Sequence, residues 1–266
     1  MTPNWGYLAL ERHFMFDVCT DLAIQSWCFR KFKPVDDLIA QIKKIGLSRV
    51  ELCGVHANFN DEATFDPTIA KFKAAGITLS GMGVQTFTGE PGDEKWFIFA
   101  QKAGIKMISS SFKLESQPES ILKSDFLAQK YGINLGIHNH GGADWLGSPH
   151  MLSYVLSKTS PRVGLCLDTA WMLQSGEDPL KMAEKFAPRI YGLHIKDFAF
   201  ERSGKYDDVI VGTGSLPLAA IMNVALTKPP QPCACTLEYE AEPDNPAAKL
   251  IECVTAIRQA VTSLSK

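Results

Sequence analysis

Eight short apolar runs of strand character, alternating with stretches of helical period, constrain this chain more than any other feature. The runs lie at 22–29, 49–53, 77–84, 105–109, 133–138, 163–167, 190–193 and 233–238. Helical stretches are read at 35–45, 66–75, 93–103, 118–131, 178–187, 215–226 and 245–264. Glycine (Gly46, Gly76, Gly104, Gly132) repeatedly closes a helix before the next run begins. Alternation of this kind predicts a parallel sheet, and eight units predict closure. The expectation is a single (β/α)8 TIM barrel over 22–266, preceded by an arm at 1–21 to which no function is assigned. A length of 266 residues suits that fold.

One unit shows how such a chain gathers chemistry. The run from Val163 to Leu167 is unbroken and apolar, as in a strand buried on both faces, and stops at Asp168. A helix follows, with Pro179 in its first turn, where a missing N–H costs nothing. The next run, opened by Arg189, ends at His194, Lys196 and Asp197. Parallel strands place their carboxyl ends on one side, so Asp168 and His194 emerge as neighbours.

Composition removes several functional classes. A formal charge of −2 offers no basic surface for nucleic acid or an anionic membrane. No apolar stretch approaches the roughly 20 residues of a membrane span, and the first residues lack a secretory pattern. The seven cysteines show neither a disulfide framework nor zinc spacing and read as buried thiols. A reducing cytoplasm is expected, with oligomeric state left open, a homo-oligomer included.

Barrel geometry brings the strand ends to one mouth. Gln25 and Trp27 arrive from strand one, Glu51 from strand two, His138 and His140 from strand five. Strand six adds Asp168, strand seven His194 and Lys196, and strand eight Glu238 and Glu240. His138, Asp168, His194 and Glu238 form a ligand set for one divalent ion. Manganese, zinc, iron, cobalt or magnesium would all suit it. Plainer readings stand beside these. Asp168 can cap the segment after its strand, His194 can be a core histidine, and Lys196 can pair with Asp197. Period-two alternation puts His140 above His138 and Glu240 above Glu238. Glu51 serves either behind a ligand or in a barrel-wall ion pair. Trp27, Trp145 and Trp171 are candidate walls of a sugar pocket. The GTGS turn at 212–215 either offers N–H groups to an anion or caps a helix through Ser215.

At this point five motifs occur in order: GIHNHGG at 136–142, CLDTAW at 166–171, GLHIKD at 192–197, VGTGSL at 211–216 and LEYE at 237–240. Together they resemble the sugar phosphate isomerase/epimerase family of xylose-isomerase-like TIM barrels, from about Leu22 to the C-terminus. The resemblance implies one divalent ion held at the positions of Asp168, His194 and Glu238. Its strand-five ligand is commonly a glutamate, and here that place falls on His138. The epimerase branch exchanges a substrate proton between two glutamates on opposite faces, and only the strand-eight member is present. Trp171 stands where several relatives carry histidine, which argues against the multi-zinc site of the DNA-repair endonuclease branch.

The expected activity is a metal-dependent isomerase or epimerase acting on a small keto- or hydroxy-sugar through a metal-stabilised enediolate. Glu238 and Glu240 are candidate bases, Lys196 and His140 candidate acids. Gln25, Trp27, Glu51, Trp145 and Trp171 are candidate substrate contacts. Dehydration or lysis of a keto-sugar or keto-inositol, or sugar binding without turnover, are the alternatives.

Overall fold

A computed structural model describes residues 17–142, 144–228 and 233–264. Its strands are β1 (Ala23–Gln25), β2 (Arg49–Leu52), β3 (Thr78–Phe87), β4 (Met107–Phe112), β5 (Asn134–His138), β6 (Val163–Asp168) and β7 (Ile190–Ile195), followed by β8 (Phe198–Phe200), β9 (Tyr206–Asp208) and β10 (Ala234–Leu237). β1 to β7 and β10 form a closed, wholly parallel barrel in the order β1-β10-β7-β6-β5-β4-β3-β2. β8 and β9 form an antiparallel hairpin after β7. Around the barrel lie α1 (Val35–Lys44), α2 (Phe65–Ala74), α3 (Glu94–Ala103), α4 (Glu119–Tyr131), α5 (Pro149–Lys158), α6 (Thr169–Gln174), α7 (Pro179–Phe186), α8 (Leu218–Thr227) and α9 (Ala247–Ser263). The expected eightfold barrel is therefore the observed one.

Differences from the sequence reading are local. β1 stops at Gln25, whose side-chain oxygen accepts the Trp27 N–H (3.3 Å) and turns Ser26–Phe29 into a 3-10 helix. Trp27 thus sits on a turn at the strand's end rather than in the strand. α5 is an additional helix beyond the seven expected, with Ser148 capping it through Met151 N (3.2 Å) and Pro149 in its first turn. α8 begins at Leu218, three residues later than read, because the N–H groups of Ser215 and Leu216 are given to Asp197 instead. Residues 1–16 of the expected arm lie outside the described residues. Of its remainder, Val18 is buried in the core and Asp21 pairs with Arg49 at 2.9 Å.

Apolar packing between barrel and helices holds the fold. Phe59 and Phe65 meet Phe99 edge to face at 4.9 and 5.1 Å, and Phe87 packs against Trp96, Phe97 and Phe112. Each fully buried ring contributes about 1.5–3 kcal/mol. Inside the barrel, Gly136 and Gly192 make room for Met107 and Cys166. A Cβ at Gly136 would meet Cys166 Cβ at 2.9 Å, and one at Gly192 would meet Met107 Cε at 2.7 Å. Towards the carboxyl ends of the strands the interior changes character. Gln25, Glu51, Ser109, His138, Asp168, His194, Thr236 and Glu238 are all buried there. Burying that many polar groups costs free energy that apolar packing would not, which marks the site. No helix among the described residues is long and apolar enough to cross a membrane.

Candidate metal centre

β5 and β6 end on His138 and Asp168, His194 is the penultimate residue of β7, and Glu238 follows β10 directly. One donor atom from each lies within 4.8 Å of all the others. His138 Nε2 is 3.4 Å from Asp168 Oδ2 and 3.7 Å from Glu238 Oε2, at ion-pair rather than hydrogen-bond geometry. His194 Nδ1 is 3.0 Å from the same Glu238 oxygen. These four are the residues expected from the sequence, and the strands bring them together.

The set fits a divalent cation. Both nitrogens of His138 and Asp168 Oδ2 are buried without a hydrogen-bond partner among the described residues. Each such atom costs about 1–3 kcal/mol, a penalty that a cation among the four donors would remove at His138 Nε2 and Asp168 Oδ2. Asp168 fills the capping role and keeps a second oxygen free for the other. Its Oδ1 accepts the Trp171 N–H at 2.8 Å and caps α6, while Oδ2 faces the cluster. Oxygen and imidazole donors suit manganese, zinc, iron or cobalt. A deeper trio, Glu51, Cys166 and His194, also brings donor atoms within 4.8 Å. Glu51 is already satisfied there, so the upper cluster is the better cage.

Glu51 lies beneath the four candidate donors rather than in the mouth. It is wholly buried and accepts from Gln25 Nε2 (3.0 Å), Ser109 Oγ and Thr236 Oγ1 (3.3 Å), with His194 Nε2 at 3.0 Å. A carboxylate behind the imidazole fixes which nitrogen carries the proton and leaves Nδ1 for the cluster. Gln25, expected as a substrate contact, is likewise engaged below. Burial works against charge on both histidines, yet neighbouring groups outweigh it. Asp168 and Glu238 hold His138 above the ordinary range, while Cys166, Glu51 and Glu238 hold His194 well above it. Burial also opposes the Glu238 carboxylate, but Lys196 and the two histidines keep it ionised, well below the usual range. The field here favours positive charge.

Above the cluster, Lys196 is buried but does not pair with Asp197. Its ammonium pairs with Glu240 and lies 3.8 Å from Asp208. It also stands 5.3 Å over Trp171 and 5.6 Å over Phe198. Burial disfavours its charge, but Glu238, Asp168, Glu240 and Asp208 hold the ammonium far into the charged form. Glu240 also accepts from Trp27 Nε1 at 2.8 Å, and Arg30 donates to its carbonyl at 2.7 Å. His140 lies edge-on to His138 with centroids 4.6 Å apart and 5.8 Å from Trp171. Trp171 forms a wall with Phe198 and Tyr206 of the hairpin. Trp145 is half-buried and donates to Phe112 O at 3.2 Å. The GTGS turn neither binds an outside anion nor caps a helix. Asp197 accepts its N–H groups from Gly212, Gly214 and Ser215, and that of Leu216, all at 2.9 Å.

Three contributors escaped the sequence reading. Asn139 clamps Asp168 by accepting its N–H (2.9 Å) and donating to its carbonyl (3.0 Å). Its place between two histidines was the available signal. Thr169 Oγ1 donates to the carbonyl of Lys196 (2.6 Å), accepts the Lys196 N–H (3.0 Å) and lies 3.2 Å from the carbonyl of His194. Asp208 Oδ2 accepts the Glu240 N–H at 2.7 Å, and nothing in its sequence surroundings announced it.

The model of the xylose isomerase-like TIM barrel matches residues 33–257. The chain belongs to that family. Among curated proteins it is similar to 3-oxo-isoapionate decarboxylase of Pectobacterium atrosepticum, 33% identical over 98 residues covering 35% of this chain and 34% of that one. It is also similar to inosose dehydratase of Bacillus thuringiensis, 31% identical over 103 residues covering 39% of this chain and 33% of the relative. The chain thus spans about a third of the length of the curated relatives it matches. Among solved structures, the IOLI protein with a binding zinc atom superposes with a TM-score of 0.67 at 14% identity, over 92% of this chain and 98% of that one. At that identity the likeness concerns the fold.

Proposed function

We propose that this barrel is a metal-dependent enzyme that removes a proton from the carbon beside the carbonyl of a small keto- or hydroxy-sugar. The observation that carries the reading is the buried quartet His138, Asp168, His194 and Glu238, with its unpartnered donor atoms at a barrel mouth. A divalent ion held by these residues would supply Lewis acidity to adjacent carbonyl and hydroxyl oxygens of the sugar. Glu238 keeps Oε2 on His194 and leaves Oε1 without a hydrogen bond from any described residue. That oxygen is the base that takes the proton. Glu240 is held at both oxygens, by Lys196 and by Trp27, and orients the ammonium. The Lys196 ammonium offsets negative charge that develops on the substrate. Trp171 and Trp27 flank this space and exclude water from it.

Elimination of water is the second reading, and the identity of residue 138 favours it. Epimerisation needs proton-transfer groups on opposite faces of the carbon. The carboxylates beyond the quartet's own Asp168 come from the β10 side, whereas β5 contributes the imidazoles of His138 and His140. Proton removal and return on one face leads to isomerisation. Removal by Glu238 with proton delivery to a departing hydroxyl from Lys196 or His140 leads to dehydration. The similarity to inosose dehydratase and to a decarboxylase supports including it. The test is to incubate metal-loaded protein with a panel of keto-sugars and keto-inositols in deuterated water and follow each by NMR. Solvent deuterium at the carbon beside the carbonyl, lost in Glu238→Gln, is expected. Product without deuterium would indicate a hydride shift and would remove Glu238 as the base.

A further inference from the structure

On the same face of the barrel, beyond the carboxyl ends of β2 and β3, lies a cavity of about 480 Å³. Lys33, His56, Asn58, Gln85, Lys95 and Trp96 are among its walls, and no carboxylate is. Lys33 makes no ion pair among the described residues, and Lys95 reaches the neutral amide oxygen of Asn60 at 2.6 Å and lies 5.1 Å over the Trp96 ring. Both positive charges are therefore uncompensated by a carboxylate. Gln85 and His56 are buried, and the Gln85 side-chain amide takes no hydrogen bond from a described residue. Across the mouth the charge is reversed, with Glu238, Glu240 and Asp208 gathered around one lysine. The opening is polarised, with carboxylates on the β10 side and ammonium groups on the β2–β3 side.

We propose that the substrate is an acidic sugar whose carboxylate occupies this cavity while its carbonyl or hydroxyl end lies at the quartet. This rests on the reading of the quartet as a sugar site. A carboxylate fits better than a phosphate ester. The loop after strand seven is a common phosphate cradle in barrels, and here its N–H groups are filled by Asp197. The cavity itself offers point charges and amides, with no arginine to grip a phosphate by two parallel bonds.

The test is calorimetric titration of the metal-loaded protein with D-gluconate, D-galactonate and D-xylonate, the three matching alditols, and glucitol 6-phosphate. At least one aldonate is expected to bind about tenfold tighter than its alditol, the scale of two screened charge contacts. That advantage is expected to shrink at high salt and to vanish in the double variant Lys33→Gln/Lys95→Gln, with alditol affinity unchanged. Equal affinity of every aldonate and its alditol, binding of neither, a preference that survives the double variant, or tighter binding of the phosphate ester would each overturn it. Metal content of the same samples, measured in parallel, reports on the quartet alone. Full metal content with no aldonate preference would defeat this inference and leave the quartet standing.

Discussion

His194 Nε2 lies 3.0 Å from Glu51 Oε2, both side chains wholly buried, so one imidazole is held from below by a carboxylate and faces Glu238 above. The pair sets the tautomer and the ring's orientation at once. Loss of such a supporting carboxylate typically costs 10–100-fold in metal affinity. Glu51→Gln, which keeps the volume and a hydrogen-bonding side chain, is expected to weaken divalent-ion affinity by about that factor with a small change in melting temperature. Titration with zinc or manganese measures it. Unchanged affinity would make Glu51 a barrel-wall residue only.

Metal and stability should be linked through the quartet. At 100 times its dissociation constant a bound ion adds about 2.7 kcal/mol to the folded state. Zinc or manganese is therefore expected to raise the melting temperature of the unaltered protein by roughly 5–10 °C. Asp168→Ala and His138→Ala should abolish that rise and the bound metal together. A full rise in both variants would place the ion elsewhere.

The quartet could be read from the sequence because each member lies at, or within one residue of, the carboxyl end of a different strand, and a closed parallel barrel forces such positions together. Asp168, with an apolar run before it and a short capped helix after it, is legible as cap and as candidate ligand; the structure shows the cap and turns its second oxygen to the cluster. Other parts were hidden for physical reasons. The hairpin of β8 and β9 has three residues in each strand, and its second strand reads Tyr-Asp-Asp. Its order comes from Phe198 stacking on Tyr206 (4.3 Å between centroids) and from Trp171 beside both, contacts no local pattern displays. Glu51 was visible as a buried acid, but whether it served substrate or ligand depended on what lay across the barrel. α5 is a different case, since Ser148 and Pro149 carry its starting signal in the sequence itself.

The tryptophans should separate by function. Trp145 packs on the core and donates to Phe112 O, so Trp145→Ala is expected to cost about 3 kcal/mol of stability. Trp171 stands beside Lys196 and His140. Trp171→Ala should cost about 1 kcal/mol, the scale of a partly exposed cation–π contact, and weaken ligand binding about tenfold. Trp27 is 38% exposed and its indole N–H steadies Glu240. Trp27→Phe is expected to lower kcat with little change in stability. Thermal melts beside ligand titrations check all three, and a larger stability loss in Trp171→Ala than in Trp145→Ala would reverse the assignment.

Asp208 makes stability depend on pH in an unusual sense. Burial pushes its carboxyl up to about 7, while Lys196 and the Glu240 N–H oppose the rise without cancelling it. Its Oδ1 is buried without a hydrogen-bond partner, as suits an atom that carries a proton. The ordinary value is 3.8, so between about pH 4 and pH 7 the folded chain holds a proton that the unfolded chain releases. By linkage this group's contribution to stability is greatest at low pH and is lost as pH rises through about 7. Asp208→Asn keeps an acceptor for the Glu240 N–H and removes the charge, while Lys196 retains Glu240. A tenfold change in proton affinity between the folded and unfolded chains corresponds to about 1.4 kcal/mol. Some three such factors separate 3.8 from about 7, so the variant is expected to be more stable than the parent by about 4 kcal/mol at pH 8 and equal to it near pH 4. Chemical denaturation across that range measures the difference directly. A variant less stable than the parent at pH 8 would show that the contact with Lys196 outweighs burial, and that Asp208 is ionised throughout.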